Sequence, residues 1–184
     1  MLFRSPAFTR SNDGKPLLSW RVLILPFIEQ QALYDQFHLD EAWDSPHNRT
    51  LISKMPVVFQ CPAEKDALAA DGKTRYLTPR GAGTIMPGAE SVGIRDVTDG
   101  TSNTILAIDA GDEHAVVWTQ PSDWEIEIAP DPQVESIFRS HGPGGTSAAF
   151  ADGAVHFVRP TITGATLRAL LSRAGGETVR SEDY

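Results

Sequence analysis

Hydrophobic and polar positions along this chain follow a helical period first and an alternating one later. From Ser19 to Phe37 apolar residues crowd into one span, SWRVLILPFIEQQALYDQF, with Pro26 inside it. Ser19 is placed to cap a helical turn over 20–25, and Pro26 suits the first turn of a second helix running to Phe37. On that helix Phe27, Ala32, Leu33, Tyr34 and Phe37 approximate one apolar face, which predicts core packing. Ser45-Pro46 repeats the device, an N-cap followed by proline, and opens a short helix to Lys54.

Beyond Lys54 the pattern turns to β. Residues 55–61 read as a strand edged by Pro56 and Pro62, and 62–90 as a long loop with a short helix over 63–70. Strands are predicted over 103–110 and 115–119. In 123–128, DWEIEI, Trp124, Ile126 and Ile128 fall on one face and Glu125 and Glu127 on the other. Segments 146–151 and 154–158 flank Asp152-Gly153, which predicts a hairpin closed by a two-residue type I′ turn. Thr163 caps a helix over 164–174, and Gly175-Gly176 ends it with a left-handed residue. Residues 1–16 carry turn signals at Pro6, Asn12-Asp13-Gly14 and Pro16 and read as a flexible lead-in. The remainder, 17–184, reads as one α+β domain: N-terminal helices packed on an antiparallel sheet, with a C-terminal helix.

Composition narrows the partners. A chain of 184 residues suits one domain, burying roughly 70% of its unfolded surface. A net charge of −8 argues against a nucleic-acid backbone and against adsorption to anionic lipid. No apolar run reaches the ~18 residues of a spanning helix. Arg4, Arg10, Asp13 and Lys15 exclude a signal-peptide core near the start. The one cysteine, Cys61, rules out an internal disulfide and a Cys-rich zinc site, and reads as a small buried hydrophobe at a strand end.

Charge placement raises a metal question. Between Arg95 and Arg139 there is no Lys or Arg, yet there are ten carboxylates. Such a cluster repels itself unless it is solvated or holds a cation. A solvated acidic face and a bound divalent cation both answer this; on the second, Asp109, Asp112, Glu113 and Asp131 are the expected ligands, of the oxygen type that suits Ca²⁺. His114 beside Asp112 and Glu113 is the best single-locus alternative. Asp96-x-x-Asp99-Gly100-x-x-Asn103 lacks EF-hand spacing and reads as a turn bonded to its own backbone.

Other chemistry is sparse. His141, in the loop His141-Gly142-Pro143-Gly144-Gly145, is the candidate general base. No Lys-Ser/Thr follows, so the loop is not a phosphate loop. His156, alternating with Val155 and Phe157, is expected to face solvent, and His47, in a helix's first turn, to cap or pack locally; His38 lies in the same segment. There is no G-x-S-x-G and no H-E-x-x-H. Ser140 or Ser147 with His141 and Asp152 makes a triad on paper, as many chains of this size allow.

Several segments, in this order and spacing, do point to a family. They are Ser19 to Phe37, then Trp43-Asp44-Ser45-Pro46-His47-Asn48, Met55-Pro56 and Cys61-Pro62. Asp99-Gly100-Thr101-Ser102-Asn103-Thr104, the His141 loop and Phe150-Ala151-Asp152-Gly153-Ala154-Val155 complete the set. Together they resemble a bacterial family of prepilin-like or pseudopilin-like domains of unknown function, related to the major pseudopilins of type II secretion. The resemblance implies a pilin-like fold, a place at the cell envelope or periplasm, and a calcium ion fixing a loop near the C-terminal sheet. Members usually begin with a prepilin leader and a long apolar helix. This chain opens where their globular domain begins, so a truncated or anchorless soluble version is expected. The first functional expectation is a calcium-stabilised domain with a role in assembly or binding at the envelope. The second is a calcium-dependent hydrolase of small esters or lactones, such as acyl-homoserine lactones, with His141 or His114 as base. The partners to look for are a second copy in a homo-oligomer or, on the second reading, that small ester or lactone.

Overall fold

The computed structural model describes residues 6–62, 67–127 and 144–180. Within them the chain forms β1 (Phe8–Arg10), β2 (Pro16–Ser19), α1 (Trp20–Leu23), α2 (Gln31–Tyr34), α3 (Ala67–Ala70), β3 (Lys73–Thr74), β4 (Tyr76–Leu77) and β5 (Pro79–Arg80). There follow β6 (Ile105–Asp109), β7 (Val116–Val117), β8 (Trp124–Glu125), β9 (Thr146–Phe150), β10 (Val155–Val158) and α4 (Gly164–Leu171). It is a mixed α/β arrangement with few, short helices and mainly antiparallel pairings.

The principal sheet has four antiparallel strands in the order β10-β9-β6-β4. Alternation, shifted by an irregularity between Ile105 and Ala107, puts Ile105 and Ile108, Ala148 and Phe150, Val158 and Leu77 on its inner face. There they meet Ile162 and Leu167, Leu170 and Leu171 of α4 in one apolar cluster. Thr163 caps α4, its hydroxyl accepting from the Thr166 N–H at 3.1 Å. A second cluster gathers the N-terminal segment, with Leu18, Trp20, Val22, Leu25, Leu33 and Phe37 around Phe59 and Trp118. Trp118 is fully buried, edge-on to Phe37 at 5.7 Å and stacked on Phe59 at 5.9 Å. Its indole N–H donates to the Ile52 carbonyl at 2.9 Å. Three two-stranded ribbons complete the fold: β1-β2 and β3-β7 antiparallel, β5-β8 parallel.

Local chemistry explains where the chain departs from its sequence pattern. Ser19 does cap α1, but the helix expected from Pro26 to Phe37 is split. Glu29 stands at φ 61, and the Gln30 N–H reaches back to the Leu25 carbonyl at 3.0 Å. That six-residue closure ends the first turn and starts α2 afresh. Ser45 accepts the Asn48 N–H at 3.1 Å in the turn that leads in, but the helix is a 3₁₀ helix over Asn48–Lys54 whose N-cap is His47, two residues later than expected. The strand expected over 55–61 is instead a 3₁₀ turn, Val57–Phe59, whose Val57 and Val58 both face solvent. Two successive outward residues break the alternation a half-buried strand needs.

The lead-in is not free: β1 pairs with β2, and Ala7 is in the core. The loop expected over 62–90 hides β3, β4 and β5, each two residues long. The helix α4 ends at Leu171, where Ser172 turns extended, four residues before left-handed Gly176. The hairpin turn is also different in kind. Phe150 N–H bonds the Ala154 carbonyl at 2.8 Å and Gly153 N–H bonds the Phe150 carbonyl at 2.9 Å. Gly153 alone has positive φ, so the loop is a three-residue turn with a glycine bulge and not type I′.

Candidate functional site

The most concentrated polar chemistry is buried, and it is built from the Ser19-Trp20-Arg21 run. Ser19 ends β2 and caps α1, so Trp20 and Arg21 leave the first turn pointing across the molecule. Arg21 Nη2 lies 2.6 Å from Asp123 Oδ1, and neither side chain touches solvent. The same oxygen accepts from Trp20 Nε1 at 3.1 Å and from the Thr78 N–H at 3.2 Å. The rest of the guanidinium is used too, Nε and Nη2 donating to the Tyr76 carbonyl and Nη1 to Ser19 Oγ. Burial pushes the Asp123 carboxyl up and the Arg21 guanidinium down, and the ion pair opposes both. A buried pair with this many donors to one oxygen fixes geometry, while Asp123 Oδ2 is buried with no hydrogen-bond partner among the described residues.

A second buried arginine answers the acidic interval. Arg75, 2% exposed, pairs through Nη1 with Asp112 and lies 3.5 Å from Asp109 Oδ1 through Nε. Burial opposes its charge, but Asp112 and Asp109 outweigh that and hold the guanidinium above its usual value. Cys61 is buried as expected, its Sγ 3.8 Å from Asp109 Oδ2. Burial first, then the Asp109 charge, pushes the Tyr76 hydroxyl up to about 12. A third arginine, Arg80, pairs with Glu125 across the parallel ribbon.

These pairings change the reading of the predicted metal ligands. Asp109 and Asp112 stand against Arg75, so the repulsion that called for a cation is already relieved from another part of the chain. Glu113 turns back over Gly111 and lies 3.8 Å from His114 Nε2. Asp131 lies outside the described residues. Among the described residues no group of three or more His, Cys, Asp or Glu side chains is placed to hold a metal ion. Asp109 and Asp112 are thus already engaged by Arg75, and no step is derived through a calcium ion.

His141 and Ser140 lie outside the described residues. Asp152 is a turn residue, its Oδ1 accepting the Ala154 N–H at 2.9 Å. His156 does not face solvent; it packs edge-on to Phe150, centroids 5.0 Å apart, while Val155 and Phe157 take the outer side. His38 and His47 pack locally, stacked 3.6 Å apart, with His38 against Glu41 and His47 against the Gln36 carbonyl.

The remaining family-like segments also resolve into structure. Fully buried Asn48 accepts the His38 N–H and donates to the carbonyls of His38, Glu41 and Ala42. Asp99 accepts the N–H groups of Gly175 at 2.6 Å and Gly176 at 2.8 Å, tying the chain after α4 to the 99–104 turn. An open cleft of about 270 Å³ lies between Phe8, Arg10 and Pro16 on one side and Pro87 and Glu90 on the other. Sequence reasoning passed over Arg75 and Arg80, because a compensating charge thirty or more residues away leaves no local pattern.

No curated protein and no solved structure matches the chain. Among the described residues no helix is long and apolar enough to cross a membrane. Over residues 2–91 the chain is similar to the family described as Protein of unknown function (DUF1559).

Proposed function

We propose that this chain is an assembly or binding domain of the bacterial cell envelope, of pseudopilin-like kind. One observation carries the reading: its polar chemistry is turned inward and its apolar strand edge outward. Ser19, Trp20, Arg21, Asn48 and Asp99, from the segments that carry the resemblance, are all engaged in hydrogen bonds that hold the fold. Among the described residues the sheet meanwhile ends at β10, whose Val155 and Phe157 are 67% and 55% exposed. Exposed apolar side chains beside an unpaired strand edge are a surface for another protein. Calcium is no part of this reading, since arginines supply the neutralisation it was expected to give.

A photo-reactive amino acid placed at Val57, and separately at Val155, tests it in living cells. Adducts with envelope proteins at either position are expected. Recovery of the chain without adducts at both positions, in cells where it is folded, overturns the reading.

A further inference from the structure

We propose that two copies of this chain pair through β10, edge to edge and antiparallel about a two-fold axis. The inference rests on the assembly reading and names the partner. Ladder parity defines the edge. Phe150 N–H bonds the Ala154 carbonyl, so in the register Val155↔Ala149, His156↔Ala148 and Phe157↔Ser147 the even residues point their backbone groups at β9. The N–H and C=O of Val155 and Phe157 therefore point away from it. Among the described residues β10 has no strand on that side.

Three two-fold registers bring those groups together. In one, Val155 of each copy exchanges both bonds with Phe157 of the other, and His156 faces His156 across the axis. In the others, Phe157 faces Phe157, or Val155 faces Val155. The first is selected because it alone bonds both outward residues of each copy to residues of β10; self-pairing leaves Val155 opposite Arg159 or Phe157 opposite Gly153, beyond the strand. Charge agrees with it. Asp152 and Arg159 flank the strand, both exposed and neither with an ion-pair partner among the described residues. Pairing Val155 with Phe157 brings Asp152 of each copy beside Arg159 of the other, at both ends of the interface. Pairing Phe157 with itself separates them. The chosen register also lays Val155 and Phe157 of both copies in one apolar strip on the outer face, covering side chains the monomer leaves exposed. A second copy fits this edge because the same strand supplies both halves of each complementary contact.

Sedimentation velocity over a concentration series tests the pairing. A monomer–dimer equilibrium is expected, and Val155→Lys and Phe157→Lys should each weaken it about tenfold or more by placing a charge in the strip. Circular dichroism checks that both variants are folded. Asp152→Arg and Arg159→Asp should each weaken the dimer, and the double swap should restore part of the loss. Register is read by cysteine substitution. His156→Cys should oxidise to a linked dimer, since facing residues of a non-hydrogen-bonded pair lie about 4.5 Å apart, within disulfide reach. A chain that stays monomeric up to its solubility limit overturns the proposal, as does a dimer indifferent to both lysines. Linkage at Phe157→Cys but not at His156→Cys overturns the register. If the chain is monomeric yet gives adducts with other envelope proteins at Val57, the self-pairing fails and the assembly reading stands.

Discussion

Arg21 and Asp123 stand 102 positions apart in the sequence and meet at 2.6 Å, both without solvent contact. Removing one partner strands the other. Asp123→Ala is expected to cost about 3–5 kcal/mol, because Arg21 is left charged and buried. The pair Arg21→Met with Asp123→Leu should recover part of that, the rest reflecting Trp20 Nε1 and the Thr78 N–H losing their acceptor. Urea midpoints of the three chains measure it. A double variant as unstable as Asp123→Ala would show that the pair is not the unit.

Two glycines with positive φ should respond very differently to alanine. Gly153, at φ 92, has nothing within 4 Å of an added Cβ. Gly153→Ala should therefore cost only the left-handed backbone penalty, about 1 kcal/mol. Gly145, at φ 124, would drive its Cβ into the Val158 carbonyl and to 3.1 Å from the Arg159 Cα. Gly145→Ala should cost several times as much, or prevent folding. Thermal melts side by side decide it, and equal losses would refute the steric argument.

Thr119 is fully buried and its hydroxyl has no hydrogen-bond partner among the described residues. Thr119→Val keeps the shape and removes an unsatisfied group. A gain of about 1 kcal/mol in unfolding free energy is expected. A loss of that size would show that the hydroxyl has a partner, such as a bound water.

Stability should also decline in base. Burial raises the Tyr76 hydroxyl from the usual 10 to about 12, the Asp109 charge adding to it. Its neutral, protonated form is favoured in the folded chain, so between these values the folded state holds a proton that the unfolded chain has lost. The contribution is complete below about pH 10 and is lost as pH rises from there to about 12. Tyrosinate absorbance should show one late-titrating tyrosine, and Tyr76→Phe should remove it along with its share of the alkaline loss.

Chelation separates arginine from calcium as the neutraliser of Asp109 and Asp112. The melting midpoint should not move when EDTA is added. Arg75→Met should lower it by leaving two carboxylates without their cation. A midpoint that drops with EDTA and is restored by CaCl₂ would return calcium to the structure.

The parts of the fold legible in the sequence were those governed by neighbours along the chain. Ser19 and Thr163 cap where their spacing says they should, because a cap is a bond over two or three residues. Trp124, Glu125, Ile126 and Glu127 alternate in exposure as their pattern requires. The hairpin was visible, though its turn was not, since Asp-Gly serves both a two-residue turn and a bulge. The break at Glu29 was hidden because a left-handed glutamate has no residue-type signature. Two-residue strands such as Tyr76–Leu77 are too short to display a period. The partners of the acidic interval were hidden for a further reason: Arg21, Arg75 and Arg80 are brought near it only by the fold.

Those arginines have one more consequence. All three lie within residues 2–91, the span similar to the DUF1559 family, and their partners Asp109, Asp112, Asp123 and Glu125 all lie after it. Severed between Glu90 and Ile105, the chain would yield a front piece with buried cations and a rear piece with their anions. Neither piece could bury its own share alone, yet each carries what the other lacks. Mixed together, they should regain the native circular dichroism that each lacks when separate.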